Sequence, residues 1–282
     1  MDRLKSWQQH LEVALGTTIR TWRPLHGGCI AQAFLAESAT DQFFVKHCPA
    51  GAPEMFAAEA AGLRTLANSA TLRIPAVLAV SEAFLVLEYV EPGTPGPAFM
   101  PDFGAQFAAL HRASAAKFGF TGDTFLGTTR QHNAESASWP EFFYEHRLVA
   151  QLQLAEQNHL ATPELRHAIR SLEARIAQLL ATDEPPALLH GDLWSGNFLV
   201  AHDGAPCIFD PAVYYGSREA DLAMTYLFGG FDSAFYDAYQ EAWPLPDGHA
   251  RRRRLYEAYH MLNHLNLFGS SYYSAALSRL TA

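Results

Sequence analysis

The sequence predicts an α+β molecule of two unequal lobes: a small five-stranded antiparallel sheet with one main helix, then a larger and mainly helical part. Three observations predict it. Residues 15–91 hold short β-branched and aromatic segments divided by Gly and Asp turns, with one helical segment among them. The stretch EPGTPGPAFMP, Glu91 to Pro101, is dense in Pro and Gly and reads as a hinge. Beyond it, apolar residues recur mostly at helical spacing. The expected division is 1–91 and 92–282, and 282 residues suffice for two such lobes.

Arg3 to Leu15 reads as an amphipathic helix with Trp7, Leu11, Ala14 and Leu15 on one face. Strands follow at Ile19–Leu25, Gln32–Glu37 and Gln42–His47, the first two joined across Gly27-Gly28. Pro53 suits a helix start, and Met55, Phe56, Ala60, Leu63 and Leu66 continue it at helical spacing. PAVLAVSEAFLVLEYVEPG supplies the last two strands of the sheet. Helices are expected at Asp102–Ala115, Trp139–Asn158, Pro163–Ala181, Glu219–Phe228, Ser233–Trp243 and Arg251–Phe268. Short strands flank a His202-Asp203-Gly204 turn. No internal repeat or low-complexity tract interrupts the pattern.

Hydrophobic residues make up 49% and charged residues 17%, enough for a substantial core and against long disorder. A formal net charge of −9 argues against a general nucleic-acid binder. The run Arg251–Arg254 is expected on a solvated helix face. Cys29, Cys48 and Cys207 are too few and too scattered for a disulfide scaffold, which favours a reducing compartment. MDRLKSWQQHLEVALG lacks the apolar run of a signal peptide, and no segment reaches the length of a membrane span. The expectation is a soluble, cytoplasmic protein with no membrane partner.

The chemistry concentrates in LLHGDLWSGNFLV, Leu188 to Val200. Asp192 and Asn197 are five residues apart, and Asp210 ends the apolar run CIFD after a hairpin. Phosphoryl transfer from ATP needs a base for the acceptor hydroxyl and oxygen ligands for Mg2+. Asp192 suits the base, and the Asn197 carboxamide with the Asp210 carboxylate suits the metal. A kinase catalytic loop has the same Asp-x4-Asn spacing with a metal-binding Asp beyond it. Asp and Asn also cap turns, so a lone pair would carry little. Here His190-Gly191 precedes and Asp210 follows in order.

The first lobe offers an independent check. Lys46 lies in the third expected strand and Glu59 in the following helix, which are the elements that hold a phosphate-binding Lys and its carboxylate partner in a kinase. Gly27 and Gly28 in HGGCIAQ let backbone N–H groups approach a phosphate, although the stretch is not G-x-G-x-x-G. LEYVEPG would be the strap between lobes, with the Glu88 carbonyl and the Val90 N–H facing adenine.

LLHGDLWSGN, FDPAVYYGSREADLAMT, FGGF, FGFTGDTFLGTTRQHN and WPEFFYEHRL resemble the fructosamine kinase (ketosamine-3-kinase) family. That family lies in the aminoglycoside phosphotransferase-like branch of the protein-kinase fold. The resemblance runs from about Gly27 to Phe268. It implies ATP and Mg2+ as cofactors, small ketosamines or glycated proteins as substrates, and phosphorylation of the sugar 3-hydroxyl in deglycation. It maps the base onto Asp192, the metal ligands onto Asn197 and Asp210, and the phosphate-binding pair onto Lys46 and Glu59. It also implies that Asp221 braces the catalytic loop, that Glu219 does likewise or faces substrate, and that Trp194 walls the sugar site or packs in the core.

Other features have plainer readings beside sharper ones. Cys29 is either a small turn residue or a redox-sensitive thiol beside the glycine turn. His260 and His264 have metal-ligand spacing on a helix, but without a third ligand nearby a packed pair is expected. The rival functions are a phosphotransferase for another small alcohol (an aminoglycoside, choline or homoserine) and a nucleotide-binding pseudokinase.

Overall fold

The computed structural model describes residues 2–25 and 31–281. Its first part is an antiparallel sheet of β1 (Thr21–Leu25), β2 (Gln32–Glu37), β3 (Gln42–His47), β4 (Val77–Val80) and β5 (Phe84–Glu88), in the order β1-β2-β3-β5-β4. Two helices cover it, α1 (Asp2–Leu15) and α2 (Pro53–Ala67). Strand alternation decides what each helix meets. Phe43, Val45 and His47 are buried on one face of β3, where Phe43 and Val45 join Trp7 and Leu11 of α1. Trp7 stacks on His47 at 4.0 Å. Leu85 and Leu87 of β5 pack against Phe56, Ala60 and Leu63 of α2, with Phe44 of β3 alongside. Lys46, two residues from Phe44, shares that second face.

The chain then crosses to the larger part. Gly93 N–H donates to the Val200 carbonyl at 2.8 Å. A Cβ on Gly93 would lie 2.3 Å from the Ala201 carbonyl oxygen, so this close approach requires glycine. Beyond it come α3 (Phe99–His111), a hairpin of β6 (Thr124–Leu126) and β7 (Thr129–Gln131), α4 (Trp139–Phe143), α5 (Ala150–Gln157), α6 (Pro163–Arg170) and α7 (Ile176–Leu179). Four short strands follow: β8 (Ala187–Leu189), β9 (Phe198–Val200), β10 (Pro206–Ile208) and β11 (Tyr214–Gly216). They pair as β9 with β10 and β8 with β11. Helices α8 (Arg218–Thr225), α9 (Ser233–Ala242), α10 (His249–Phe268) and α11 (Tyr273–Leu280) complete the chain. Two apolar clusters hold this part. One joins Phe103 and Phe107 of α3 to Phe235 and Tyr239 of α9; the other joins Trp139, Phe142 and Phe143 to Tyr256 and Leu262 of α10. Each such side chain contributes about 1.5–3 kcal/mol on burial.

Several elements differ from their expected bounds. The helix expected at Asp102–Ala115 spans Phe99–His111. Pro101 lies in its first turn, where a missing N–H costs nothing. It stops early because Ala113 and Ser114 serve as partners for residues 187–188. The rod expected over Trp139–Asn158 contains a π-helical segment at Tyr144–Val149. Arg147 of that segment is fully buried and reaches the His132 carbonyl and Asn133 Oδ1. The helix expected over Pro163–Ala181 breaks between Arg170 and Ile176, although Leu172, Ile176 and Leu180 stay buried through the turn. The β6–β7 hairpin, the β8–β11 pair and α11 were not expected. Among the described residues no helix is long and apolar enough to cross a membrane.

Candidate active site

The β9–β10 hairpin brings distant residues together. Asn197 immediately precedes β9, and Asp210 lies two residues beyond β10. Phe209 N–H donates to the Asn197 carbonyl at 3.0 Å, which sets the two stretches side by side. Asp210 has φ +56°, a left-handed conformation that Asp tolerates better than most residues. Its Oδ1 accepts from Lys46 Nζ at 2.5 Å, and the same amine donates to Glu59 Oε1 at 2.7 Å. Lys46 is 13% and Glu59 16% exposed at the side chain, so both charges are largely out of water. Burial works against the Lys46 ammonium, but Asp210 and Glu59 outweigh it and hold its pKa above the usual lysine value.

Asp192 lies in the loop between β8 and β9. Asn197 Nδ2 donates to the Asp192 carbonyl at 2.8 Å and to its Oδ2 at 3.2 Å. Burial first, and the negative charge of Asp210 second, raise the Asp192 carboxyl well above the ordinary Asp value. A carboxylate so raised is a stronger base than an exposed Asp.

The loop is braced from beneath. Asp221 Oδ2 accepts from His190 N–H at 2.7 Å, and Oδ1 accepts from Gly191 N–H at 2.8 Å. His111 Nε2 lies 3.2 Å from Asp221 Oδ2, while His111 Nδ1 lies 2.7 Å from the Tyr239 hydroxyl. Burial alone would raise the Asp221 carboxyl. The bonds from His111 and the Gly191 amide outweigh it and leave the pKa lowered. His190 is fully buried, and burial lowers its pKa. Its neutral ring fits two bonds at once: Nε2–H donates to the Phe209 carbonyl at 2.9 Å, and Nδ1 accepts from Asp192 N–H at 3.3 Å. One imidazole thus ties the Asp192 backbone to the residue before Asp210.

The donor set fits a hard divalent cation. Asn197 commits its amide nitrogen to Asp192, so its oxygen is left as an acceptor, and no described donor reaches it. Asp192 and Asp210 repel; Lys46 bonds to Asp210, and Asn197 donates to Asp192. A cation between Asn197 Oδ1 and the Asp210 carboxylate would relieve that repulsion.

The remaining expected site residues are distributed as follows. Glu88 ends β5, and its side chain pairs with Arg73 at 2.8 Å. Val90 packs with Ala201, Cys207 and Leu199, and its N–H donates to no described residue. Trp194 is half-buried, edge-on to Phe228 at 5.9 Å, and covers Gly196 so closely that a Cβ there would meet the indole at 2.4 Å. Glu219 lies in α8, and its partner is Arg252. Both of its oxygens accept from Arg252, at 2.7 and 2.8 Å, and the residue is 5% exposed. It ties α8 to α10, and with its side chain 4% exposed it presents little surface to a sugar. Gly27, Gly28 and Cys29 lie outside the described residues. His264 Nδ1–H donates to the His260 carbonyl at 2.8 Å, and no group of three or more His, Cys, Asp and Glu suited to a metal occurs among the described residues. Sequence reasoning missed His111, Tyr239 and Arg252. A lone His ending an apolar helix and one Arg in a run of four give no local sign of their partners 110 and 33 residues away.

Similarity to known proteins covers nearly the whole chain. Residues 3–282 match the fructosamine kinase family. A "probable ketoamine kinase" of Synechocystis sp. is 41% identical over 93% of this chain and 90% of its own. The chloroplastic protein-ribulosamine 3-kinase of Arabidopsis thaliana is 36% identical over 98% of this chain and 86% of its own. The crystal structure of a "putative fructosamine-3-kinase" from Thermobifida fusca superposes with a TM-score of 0.89, at 34% identity, over 98% of this chain and 97% of that one.

Proposed function

The chain belongs to the fructosamine kinase family and is an ATP-dependent ketosamine 3-kinase, and on that premise we propose which of its residues carry the reaction. The γ-phosphoryl of ATP passes to the 3-hydroxyl of a ketosamine, a sugar rearranged onto an amine. A bond forms between the acceptor oxygen and the γ-phosphorus, the bond to the bridging oxygen breaks, and ADP leaves with that electron pair. Asp192 accepts the hydroxyl proton. Lys46, oriented by Glu59, neutralises phosphate charge. Asn197 and Asp210 would hold Mg2+, which supplies charge neutralisation on the phosphate oxygens when bound. Asp221, through His190 and Gly191, fixes the loop that carries Asp192. The Glu88 carbonyl and Val90 N–H face adenine, and Trp194 walls the sugar site. Residues 1–91 form the ATP-binding lobe and 92–282 the catalytic and acceptor lobe. The substrates are ketosamines, free or on glycated proteins, and the expected setting is the cytoplasm.

The product chemistry gives the reaction a purpose. A phosphate on C3 is a leaving group beside the C1–C2 enaminol: elimination breaks the C3–O bond, releases inorganic phosphate and leaves an imine at C1, and hydrolysis of that imine by water frees the amine.

The observation that supports this assignment most is the single ammonium of Lys46 bonded to both Glu59 and Asp210 across 164 residues of sequence. Asp192→Asn tests it. Turnover of a ketosamine is expected to fall by about 10²–10⁴-fold, with AMP-PNP affinity retained in a calorimetric titration. Near-normal turnover would remove Asp192 from the base role.

A further inference from the structure

We propose that Arg130, on the β6–β7 hairpin, is a positioning residue that fixes α2 and through it Glu59 and Lys46. The inference rests on the phosphate-binding role proposed for that pair. Arg130 Nη2 bonds to Glu54 in the first turn of α2, and Nη1 bonds to Asp123 at 3.2 Å. Its guanidinium also lies 5.1 Å over the Phe125 ring. Five residues along the helix from Glu54 is Glu59, and three further is Gly62. Gly62 packs so closely that a Cβ there would lie 3.0 Å from Val213 Cγ2 and 3.4 Å from Pro211. Glu59 is therefore bracketed by two anchors, both on the larger part of the molecule.

The two anchors form one body. Gln131, next to Arg130, donates to the Ala212 carbonyl at 3.4 Å and accepts from the Tyr259 hydroxyl at 2.6 Å. The hairpin is thus tied to the same 211–213 segment that Gly62 touches. Between the anchors apolar packing is thin. An open crevice of about 370 Å³ separates α2 from the hairpin, and beside Glu54 the helix presents only the small side chains of Ala57, Ala58 and Ala61 to it. With no large apolar side chain from the helix to meet Phe120 and Phe125 across this gap, the Glu54–Arg130–Asp123 ion pairs bridge the N-terminal end of the helix. That end has no side-chain cap either. The helix that orients Lys46 is consequently registered to the acceptor lobe as well as to its own sheet, and binding at one lobe is felt at the other.

The pair is well exposed, Arg130 at 42% and Glu54 at 66%, so its coupling is modest, on the order of 1 kcal/mol or about fivefold. The test uses the full chain with Mg2+ and AMP-PNP in a calorimetric titration, followed by steady-state kinetics. Arg130→Glu and Glu54→Arg are each expected to weaken AMP-PNP and lower kcat/KM for ATP about fivefold, with KM for the ketosamine unchanged. The double reversal Glu54→Arg with Arg130→Glu is expected to bind AMP-PNP and turn over ATP better than either single reversal, short of the parent because the new carboxylate at 130 faces Asp123. A fold defect alone would not be rescued by the second reversal. If a reversal does not fold, the cycle of Arg130→Ala, Glu54→Ala and their double reads the same coupling, expected as a double variant no worse than either single. Single variants equal to the parent, or additive losses in the double, would overturn the clamp. Failure of the unmodified chain to bind AMP-PNP would instead overturn the kinase assignment, so the two failures are distinct.

Discussion

Asp192 is placed where its charge is costly. Burial and Asp210 raise its carboxyl pKa, so the folded chain holds this proton more tightly than the unfolded chain does. The folded state is then penalised as pH rises from the ordinary carboxylate value toward the raised one, and the penalty is complete above it. Asp192→Asn is expected to raise the thermal unfolding midpoint at pH 8, with the gain vanishing below about pH 4, where the carboxyl is neutral in both states. A variant less stable than the parent at pH 8 would contradict this placement. In the base role proposed for Asp192 the same charge sets activity. The base must be ionised, so kcat/KM for the ketosamine is expected to rise with pH along a limb lying above the usual Asp range near pH 4. The residue gives up stability for basicity, the trade common at catalytic positions.

Among elements, the short strands around the loop do the positioning. β8 delivers His190 and Gly191, β9 and β10 set Asn197 beside Phe209, and β11 follows the turn at Ala212. Gly191 has φ +82°, and a Cβ would lie 2.1 Å from the Ala212 carbonyl oxygen. Gly191→Ala is expected to destabilise the chain by at least about 1–3 kcal/mol and to lower kcat, read by denaturant unfolding and turnover. An unchanged midpoint would show that the loop can relax. Periodicity made the longer elements legible: α1, α2, β2, β3 and α9 fall within a residue or two of expectation. Three-residue strands are too short to show alternation, so the β6–β7 hairpin and β11 escaped it. The π-helical segment is invisible for another reason: its apolar spacing differs little from an α-helix, and the buried Arg147 that accompanies it finds its partners through tertiary packing.

At the scale of the whole molecule, the two parts meet through apolar packing and a set of polar bonds. Lys46 bonds to Asp210, Arg73 pairs with Asp203, Ile208 N–H donates to the Arg73 carbonyl, and Arg130 pairs with Glu54. Only the first lies within the candidate site. Lys46→Met keeps the chain volume but leaves Glu59 and Asp210 without their shared cation. Such a change is expected to lower kcat by about two orders of magnitude and to weaken AMP-PNP, measured by steady-state kinetics and calorimetry. Turnover within about threefold of the parent would mean that phosphate charge is met elsewhere.

The sequence by itself determined the fold class, the phosphotransfer chemistry and the identity of Lys46, Glu59, Asp192, Asn197 and Asp210 as a candidate set. Each of those signals is local: period-two and period-3.6 spacing, a five-residue interval, a carboxylate after an apolar run. The tertiary structure alone decided that Glu219 is consumed by Arg252, that His111 and Tyr239 stand behind Asp221, and that Arg130 reaches across to Glu54. Those choices depend on which buried or half-buried charge finds which partner. A pairing between residues tens of positions apart leaves no periodic trace in the chain, because its energy arises only when folding has removed both groups from water.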